Sequence, residues 1–465
     1  MLFVSTRGQA PALNFSDAVL TGLARDGGLY VPQTWPSLDA AQIESFATAD
    51  YGTIARAVLA PFTAEAFPDQ AVLGEMVDAA YASFRHPSVT PLVELEPGHH
   101  LLELFHGPTL AFKDVAMQLL ARMMDHILSQ RGERATIIGA TSGDTGSAAI
   151  EAFRGRDNID VIILHPQGRT SEVQRRQMTT VMDVNVHNIA LEGTFDDCQT
   201  LVKGLFNNHA FRDRVKLSGV NSINWGRIVA QIVYYFKAGA VLGAPQRPIS
   251  FSVPTGNFGD VFAGYAAKRM GLPIDKLIIA TNANDILRRT LETGRYETLG
   301  VTQTSSPSMD IQVSSNFERL LFEVVDRSGD AVRQAMAGLG QSGSFTLPDA
   351  GLAQIRAEFE AGTADEVETA QAIASTLAQS SYLLDPHTAV GVAVARQKRG
   401  RAPMVTLATA HPAKFPAAVK AAAGVEPVLP VWLTDLYQRA ERYEVLPNDQ
   451  RAVEDFIMAR SRVAA

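Results

Sequence analysis

Three short segments carry residue types able to do chemistry. The first is His106–Asp114, HGPTLAFKD. Lys113 stands at the start of a run in which Val115, Leu119, Met123 and Ile127 recur at helical spacing. A lysine there leans back over the preceding turn, towards whatever the Gly107–Pro108 loop faces. In water it is an ordinary first-turn cation. Buried, its amine gives up its proton more easily and can form an imine with an aldehyde, which arginine cannot.

The second segment is Ser142–Gly146, SGDTG, between a short apolar run and a helical one. Ser142, Gly143, Asp144 and Thr145 offer hydroxyls and backbone N–H groups at a helix start, which together make an anion cradle. A plain strand-to-helix turn, with Ser142 or Thr145 as N-cap, fits the same letters. The third segment is Gly256–Asp260, GNFGD, in the same context. Its glycines allow close backbone approach, and the helix dipole favours a phosphate. Neither loop has the spacing of a P-loop or of a dinucleotide fingerprint, so nucleotide binding is disfavoured. Two anion loops and one imine-capable lysine are explained together by a phosphorylated aldehyde cofactor beside an anionic substrate.

The surrounding pattern predicts the elements that hold these groups. Residues 1–95 read as mostly helical, with helical spacing at Phe15–Ala24 and Ala40–Leu59 and stops at Gly27–Gly28 and Pro32. From about residue 100 short apolar strands alternate with glycine loops and helices. Ala135–Ala140, Val161–Leu164, Ile249–Val253, Lys276–Thr281 and Pro403–Thr409 read as strands. That alternation predicts parallel α/β sheets covered on both faces. Residues 282–345 read as an irregular but ordered excursion, and the tail from about 430 as amphipathic helix. The expected division is 1–95, 96–245 and 246–465.

Composition excludes several classes. A net charge of −8 over 465 residues, without a basic stretch, gives nucleic acid and anionic membrane surfaces nothing to hold. One cysteine, Cys198, permits neither an intrachain disulfide nor a CxxC metal clip. No basic-then-apolar leader opens the chain and no run approaches about 20 apolar residues, so a cytoplasmic protein is expected.

In combination and in order, the segments HGPTLAFKD, ATSGDTGSAA, PTGNFGD and ATAHPAKF resemble the threonine synthase family. So do STRG (Ser5–Gly8), DGGLYVP (Asp26–Pro32), NSINWGRIVAQ (Asn221–Gln231) and MDIQVSSNFERL (Met309–Leu320). The similarity runs over nearly the whole chain.

The resemblance implies a fold-type II pyridoxal 5'-phosphate (PLP) enzyme, two parallel-sheet α/β domains with the cofactor in the cleft between them, plus the helical N-terminal region. It implies that Lys113 carries the cofactor as a Schiff base and that Gly256, Asn257, Phe258, Gly259 and Asp260 surround its phosphate. Thr409 would hydrogen-bond the pyridine nitrogen, and Ser142, Gly143, Asp144 and Thr145 would surround the substrate carboxylate. For the phosphate of the small-molecule substrate, O-phospho-L-homoserine, Arg227 is the candidate cation and Asn224 a neutral donor. No metal is expected, and the protein would be a monomer or homodimer. Two other readings fit some of the letters: a serine/threonine dehydratase-like lyase, which needs no substrate-phosphate site, and a non-catalytic phosphoamino-acid binder. His387 and His411 are expected near the cleft as orienting residues.

Overall fold

A computed structural model describes residues 1–463. An antiparallel ribbon, β1 (Phe3–Ser5) with β2 (Tyr30–Pro32), opens the chain, and a hairpin of β3 (Leu92–Glu96) and β4 (His99–Glu103) follows the first helices. Next come β5 (Ala135–Ala140), β6 (Ile159–Pro166), β7 (Val186–Glu192) and β8 (Leu217–Ser218). After them lie β9 (Ile249–Pro254), β10 (Ile274–Thr281), and a second ribbon of β11 (Arg295–Glu297) with β12 (Ser344–Thr346). The chain ends with β13 (Phe359–Thr363), β14 (Met404–Ala408) and β15 (Glu444–Pro447).

Two sheets organise the molecule. One runs β15-β7-β6-β5-β8 and is parallel throughout. The other runs β13-β10-β9-β14-β4-β3, parallel except for the β3–β4 hairpin at its edge. Every residue of β6, β9 and β14 is buried, as strands covered on both faces require. The five strands read from sequence are all present, and the doubly covered α/β architecture is as expected.

The sheets do not follow the expected sequence boundaries. The boundary at 95/96 falls within β3, and β4 pairs with β14, placing both strands in the sheet of the later segment. At the other end β15 pairs with β7. Strand pairing, not order along the chain, decides membership. The tail is correspondingly not one amphipathic helix. Residues 431–438 form 3-10 turns, Glu444–Pro447 is a strand, and only Gln450–Arg460 is helical. Its Val453, Phe456 and Ile457 pack with Ile162, Leu164, Ile189 and Leu191 of the β6–β7 core. The span 40–59 is likewise two helices, Ala40–Ser45 and Tyr51–Thr63, because Asp50 caps a new start by accepting from the Thr53 amide. Residues 282–345 hold the helices Ile286–Thr293, Phe317–Val324 and Gly329–Ser342, and are less irregular than their Ser/Thr/Gly content suggests.

The helix Trp225–Val241 joins the parts. It is apolar nearly all round and packs against Tyr51–Thr63, Lys113–Arg131 and Gly259–Arg269. Trp225, fully buried, meets Phe3 at 5.6 Å, Phe62 at 5.8 Å and Trp35 at 6.2 Å between ring centroids. Truncating such a side chain costs about 3–5 kcal/mol, so the N-terminal region is fastened to the helix that carries Arg227. Among the described residues no helix is long and apolar enough to cross a membrane.

Candidate active site

Three chain segments leave the carboxyl ends of parallel strands and converge, where α/β sheets bind ligands. The turn after β5 leads into the helix Asp144–Phe153, the turn after β9 into Gly259–Arg269, and β14 into Thr409–His411. Lys113 begins the helix Lys113–Arg131 and is buried, 8% exposed. Its loop is tied to the β14 segment: the Phe112 amide donates to the Thr409 carbonyl at 2.8 Å, and the His411 amide to the Leu110 carbonyl at 3.0 Å. Asp114 closes the same loop, accepting from the amide of Thr109 at 2.8 Å and from its hydroxyl at 2.6 Å.

The turn after β5 is shaped by Thr141, whose hydroxyl accepts from the amides of Gly143 and Gly146, each at 2.9 Å. Gly143 has φ of +147°, and a Cβ there would fall 2.4 Å from Gln174 Cδ. Glycine is therefore required, and its absent side chain lets Gln174 Nε2 donate to Asp144 Oδ1 at 2.9 Å. Lys113 Nζ is 3.4 Å from Asp144 Oδ2, and Ser308 Oγ donates to that same oxygen at 3.3 Å. Lys414 Nζ lies 2.9 Å from Asp144 Oδ1. Burial works to raise the Asp144 pKa, but the ammonium groups of Lys414 and Lys113 hold it well below the usual carboxylate range. Ser142 and Thr145, half-buried, flank Asp144 at the helix start.

The Gly256–Asp260 turn is a different kind of cradle. Phe258 is left-handed (φ 63°) and buries its ring against Phe317 and Phe359, leaving its backbone at the helix start. No side chain caps that helix. The carbonyls of Gly256 and Asn257 are taken by Ser314 Oγ (2.6 Å) and Asn316 Nδ2 (2.9 Å). A Cβ on Gly256 would lie 2.7 Å from the Ser308 carbonyl oxygen, so a bare backbone is obligatory here as well.

Two candidate residues are placed differently from expectation. The Asp260 carboxylate turns into the protein and accepts from the hydroxyls of Tyr234 and Tyr235, and burial raises its pKa to about 6. A phosphate would be repelled by that group, so of Asp260 only the backbone remains a candidate to hold one. Asn224 is spent as a helix cap: its Oδ1 accepts from the Gly226 amide, and its Nδ2 donates to the carbonyls of Val19 and Gly219. It has no donor left for a substrate.

Arg227 is buried, 2% exposed, and its Nε has no hydrogen-bond partner. Burial lowers its pKa to about 10, and its charge acts on both Lys113 and Asp260. His387, absent from the expected catalytic set, accepts from the Ser308 amide at 3.2 Å; burial pushes its pKa down to about 4, so its ring is neutral. Sequence reasoning missed Lys414, Ser308 and Gln174. Lys414 sits within the quoted ATAHPAKF segment, and the signal was a lone lysine among apolar residues, with Phe415 and Pro416 after it.

These residues fit a phosphorylated aldehyde. The site offers a buried amine, a glycine-lined helix start without a side-chain cap, and a buried guanidinium nitrogen lacking an acceptor. Among the described residues no His, Cys, Asp or Glu cluster is arranged to hold a metal ion.

Residues 2–81 match the family model "Threonine synthase N terminus", 84–353 "Pyridoxal-phosphate dependent enzyme" and 388–457 "Threonine synthase, C-terminal". A threonine synthase of Pseudomonas aeruginosa is 52% identical over 460 residues, 98% of each chain. A PLP-bound threonine synthase structure from Brucella melitensis superposes with a TM-score of 0.97 at 63% identity, covering 99% of this chain and 100% of that one. The yeast threonine synthase structure gives 0.93 at 38%, covering 99% and 98%.

Proposed function

The chain belongs to the threonine synthase family of PLP-dependent enzymes, and from that premise we propose that the site around Lys113 converts O-phospho-L-homoserine and water into L-threonine and phosphate. The observation that carries the reading is the buried Lys113 amine set 3.4 Å from Asp144, with Ser308 joining that carboxylate to the uncapped Gly256–Gly259 turn. In this reading Lys113 holds the cofactor, the backbone of Gly256, Asn257, Phe258, Gly259 and Asp260 holds its phosphate, and the Thr409 hydroxyl meets its ring nitrogen. When bound, the cofactor supplies an electron sink for the bonding electrons left as a proton leaves carbon.

The chain's own groups do the rest. The hydroxyls of Ser142 and Thr145 and the amides of Asp144 and Thr145 receive the substrate carboxylate beside the bare Cα of Gly143, the amides of Gly143 and Gly146 being taken by Thr141. Arg227 offers its unpartnered Nε to the substrate phosphate, a charge-assisted bond that a buried dianion needs. Lys113 is placed to take protons from Cα and Cβ; loss of the Cβ proton lets phosphate leave Cγ, and protons returned to Cγ and Cα, with water added at Cβ, complete the methyl and hydroxyl groups of threonine. Burial lowers its proton affinity, with Arg227 and Lys414 adding to the effect, which suits an amine that must give up a proton as well as accept one. The two sheet-centred units act as domains that close over this cleft and exclude water until the addition step. The enzyme is taken to work in the cytoplasm as a monomer or homodimer.

The test is threonine and phosphate measured together from purified wild type and Lys113→Ala. Equal yields, lost in the variant, support the reaction. Cofactor binding without phosphate release would instead favour a dehydratase-like lyase.

A further inference from the structure

Lys414 is completely buried and its ammonium is held by three acceptors. These are Asp144 Oδ1 at 2.9 Å, the Thr109 carbonyl at 2.7 Å and Gln177 Oε1 at 3.1 Å. A cation caged in this way is not free to follow a ligand. The opposite oxygen of the same carboxylate faces Lys113 at the longer distance of 3.4 Å. One anion therefore stands between two ammonium groups, and the better-satisfied partner is the lysine not expected to react. The charged and titratable groups acting on Lys113 are Asp144, Asp260, Arg227, Lys414 and His387; on Lys414 they are Asp144, Asp114, Lys113, His387 and His411.

We propose that Lys414 is a positioning residue that takes up the charge of Asp144, so that Lys113 lacks a full counter-ion and its amine is free to add to an aldehyde. This rests on the reading of Lys113 as the cofactor amine. Addition needs the nitrogen lone pair: it bonds to the aldehyde carbon, and the carbonyl oxygen leaves as water. A protonated amine has no lone pair to give. Removing the positive charge of Lys414 strengthens the hold of Asp144 on the Lys113 proton, so the reactive amine should appear only at higher pH.

The test uses the cofactor-free, full-length protein. It is incubated with PLP across a pH series, the adduct is fixed with borohydride, and labelled Lys113 is counted by peptide mass spectrometry. Lys414→Met should move the midpoint up by about one pH unit. Lys414→Arg, which keeps the charge, should restore it. A folded Lys414→Met with an unchanged midpoint overturns the proposal, as does an arginine variant shifted as far as the methionine one. If Lys414→Met does not fold, Lys414→Gln, which keeps a polar group for Thr109 and Gln177 but carries no charge, takes its place: a midpoint raised as for methionine supports the proposal, and an unchanged midpoint in the folded variant overturns it. If wild-type Lys113 stays unlabelled at every pH while other lysines react, the reading of Lys113 itself is what fails.

Discussion

The amide of Phe112 donates to the carbonyl of Thr409 at 2.8 Å, so the residue before the candidate cofactor lysine and the candidate ring-nitrogen partner share one peptide contact. Replacing Thr409 with valine leaves that backbone bond and deletes only the hydroxyl. We expect PLP affinity to fall about tenfold, the value of one hydrogen bond, with the melting temperature of the cofactor-free protein nearly unchanged. Calorimetric binding and thermal unfolding check the two halves. An unchanged affinity would remove Thr409 from the cofactor site.

Gly143→Ala brings a Cβ against Gln174, the side chain that fixes Asp144. Backbone strain of about 1–3 kcal/mol is expected, along with a loss of kcat on the order of 100-fold from the displaced carboxylate. Steady-state kinetics beside denaturant unfolding would separate the two effects. Wild-type kcat in a folded variant would show that the turn tolerates the shift.

Arg227→Met removes a buried cation whose Nε has no partner. KM for O-phosphohomoserine should rise at least tenfold, while stability holds or improves because an incompletely satisfied buried charge is gone. Arg227→Lys should rescue only partly, since an ammonium cannot reproduce the guanidinium geometry. If PLP affinity falls while KM does not change, Arg227 serves the cofactor phosphate instead.

Asp260 gives a prediction in pH. Burial raises its folded pKa from 3.8 to about 6, so between those values the folded protein holds more protons than the unfolded chain. Stability from this group is therefore greatest at low pH and is lost as pH rises through that window. Asp260→Asn keeps an acceptor for Tyr234 and Tyr235 and removes the titration. It should add on the order of 2 kcal/mol at pH 7 relative to pH 4, read from denaturant midpoints. An identical pH slope in both proteins would contradict the assignment.

Much of the candidate site could be read because the residue types able to do its chemistry stand in short contiguous segments. HGPTLAFKD, SGDTG and GNFGD each mark a strand-to-helix or loop-to-helix junction, and glycine at Gly143 and Gly256 is dictated locally by space and φ. What sequence could not show is direction. Asp260 and Asn224 have the right letters in the right motifs, yet one faces two tyrosines and the other caps a helix. Lys414 was hidden for the opposite reason: its partners Asp144, Thr109 and Gln177 lie far away along the chain, and only packing brings them together. The same non-local pairing explains why β15 passed for part of a helical tail.

The pairing of β15 with β7 also has a consequence for biosynthesis. A ribosome delivers β5 to β8 first, but the partner for the β7 edge emerges only with residues 444–447. The other sheet waits too, since β4 lies beside β14. Neither sheet can be completed before residues 404–408 and 444–447 have been made. The nascent chain must therefore keep an unpaired parallel edge in solution, the state most open to intermolecular pairing and to capture by chaperones.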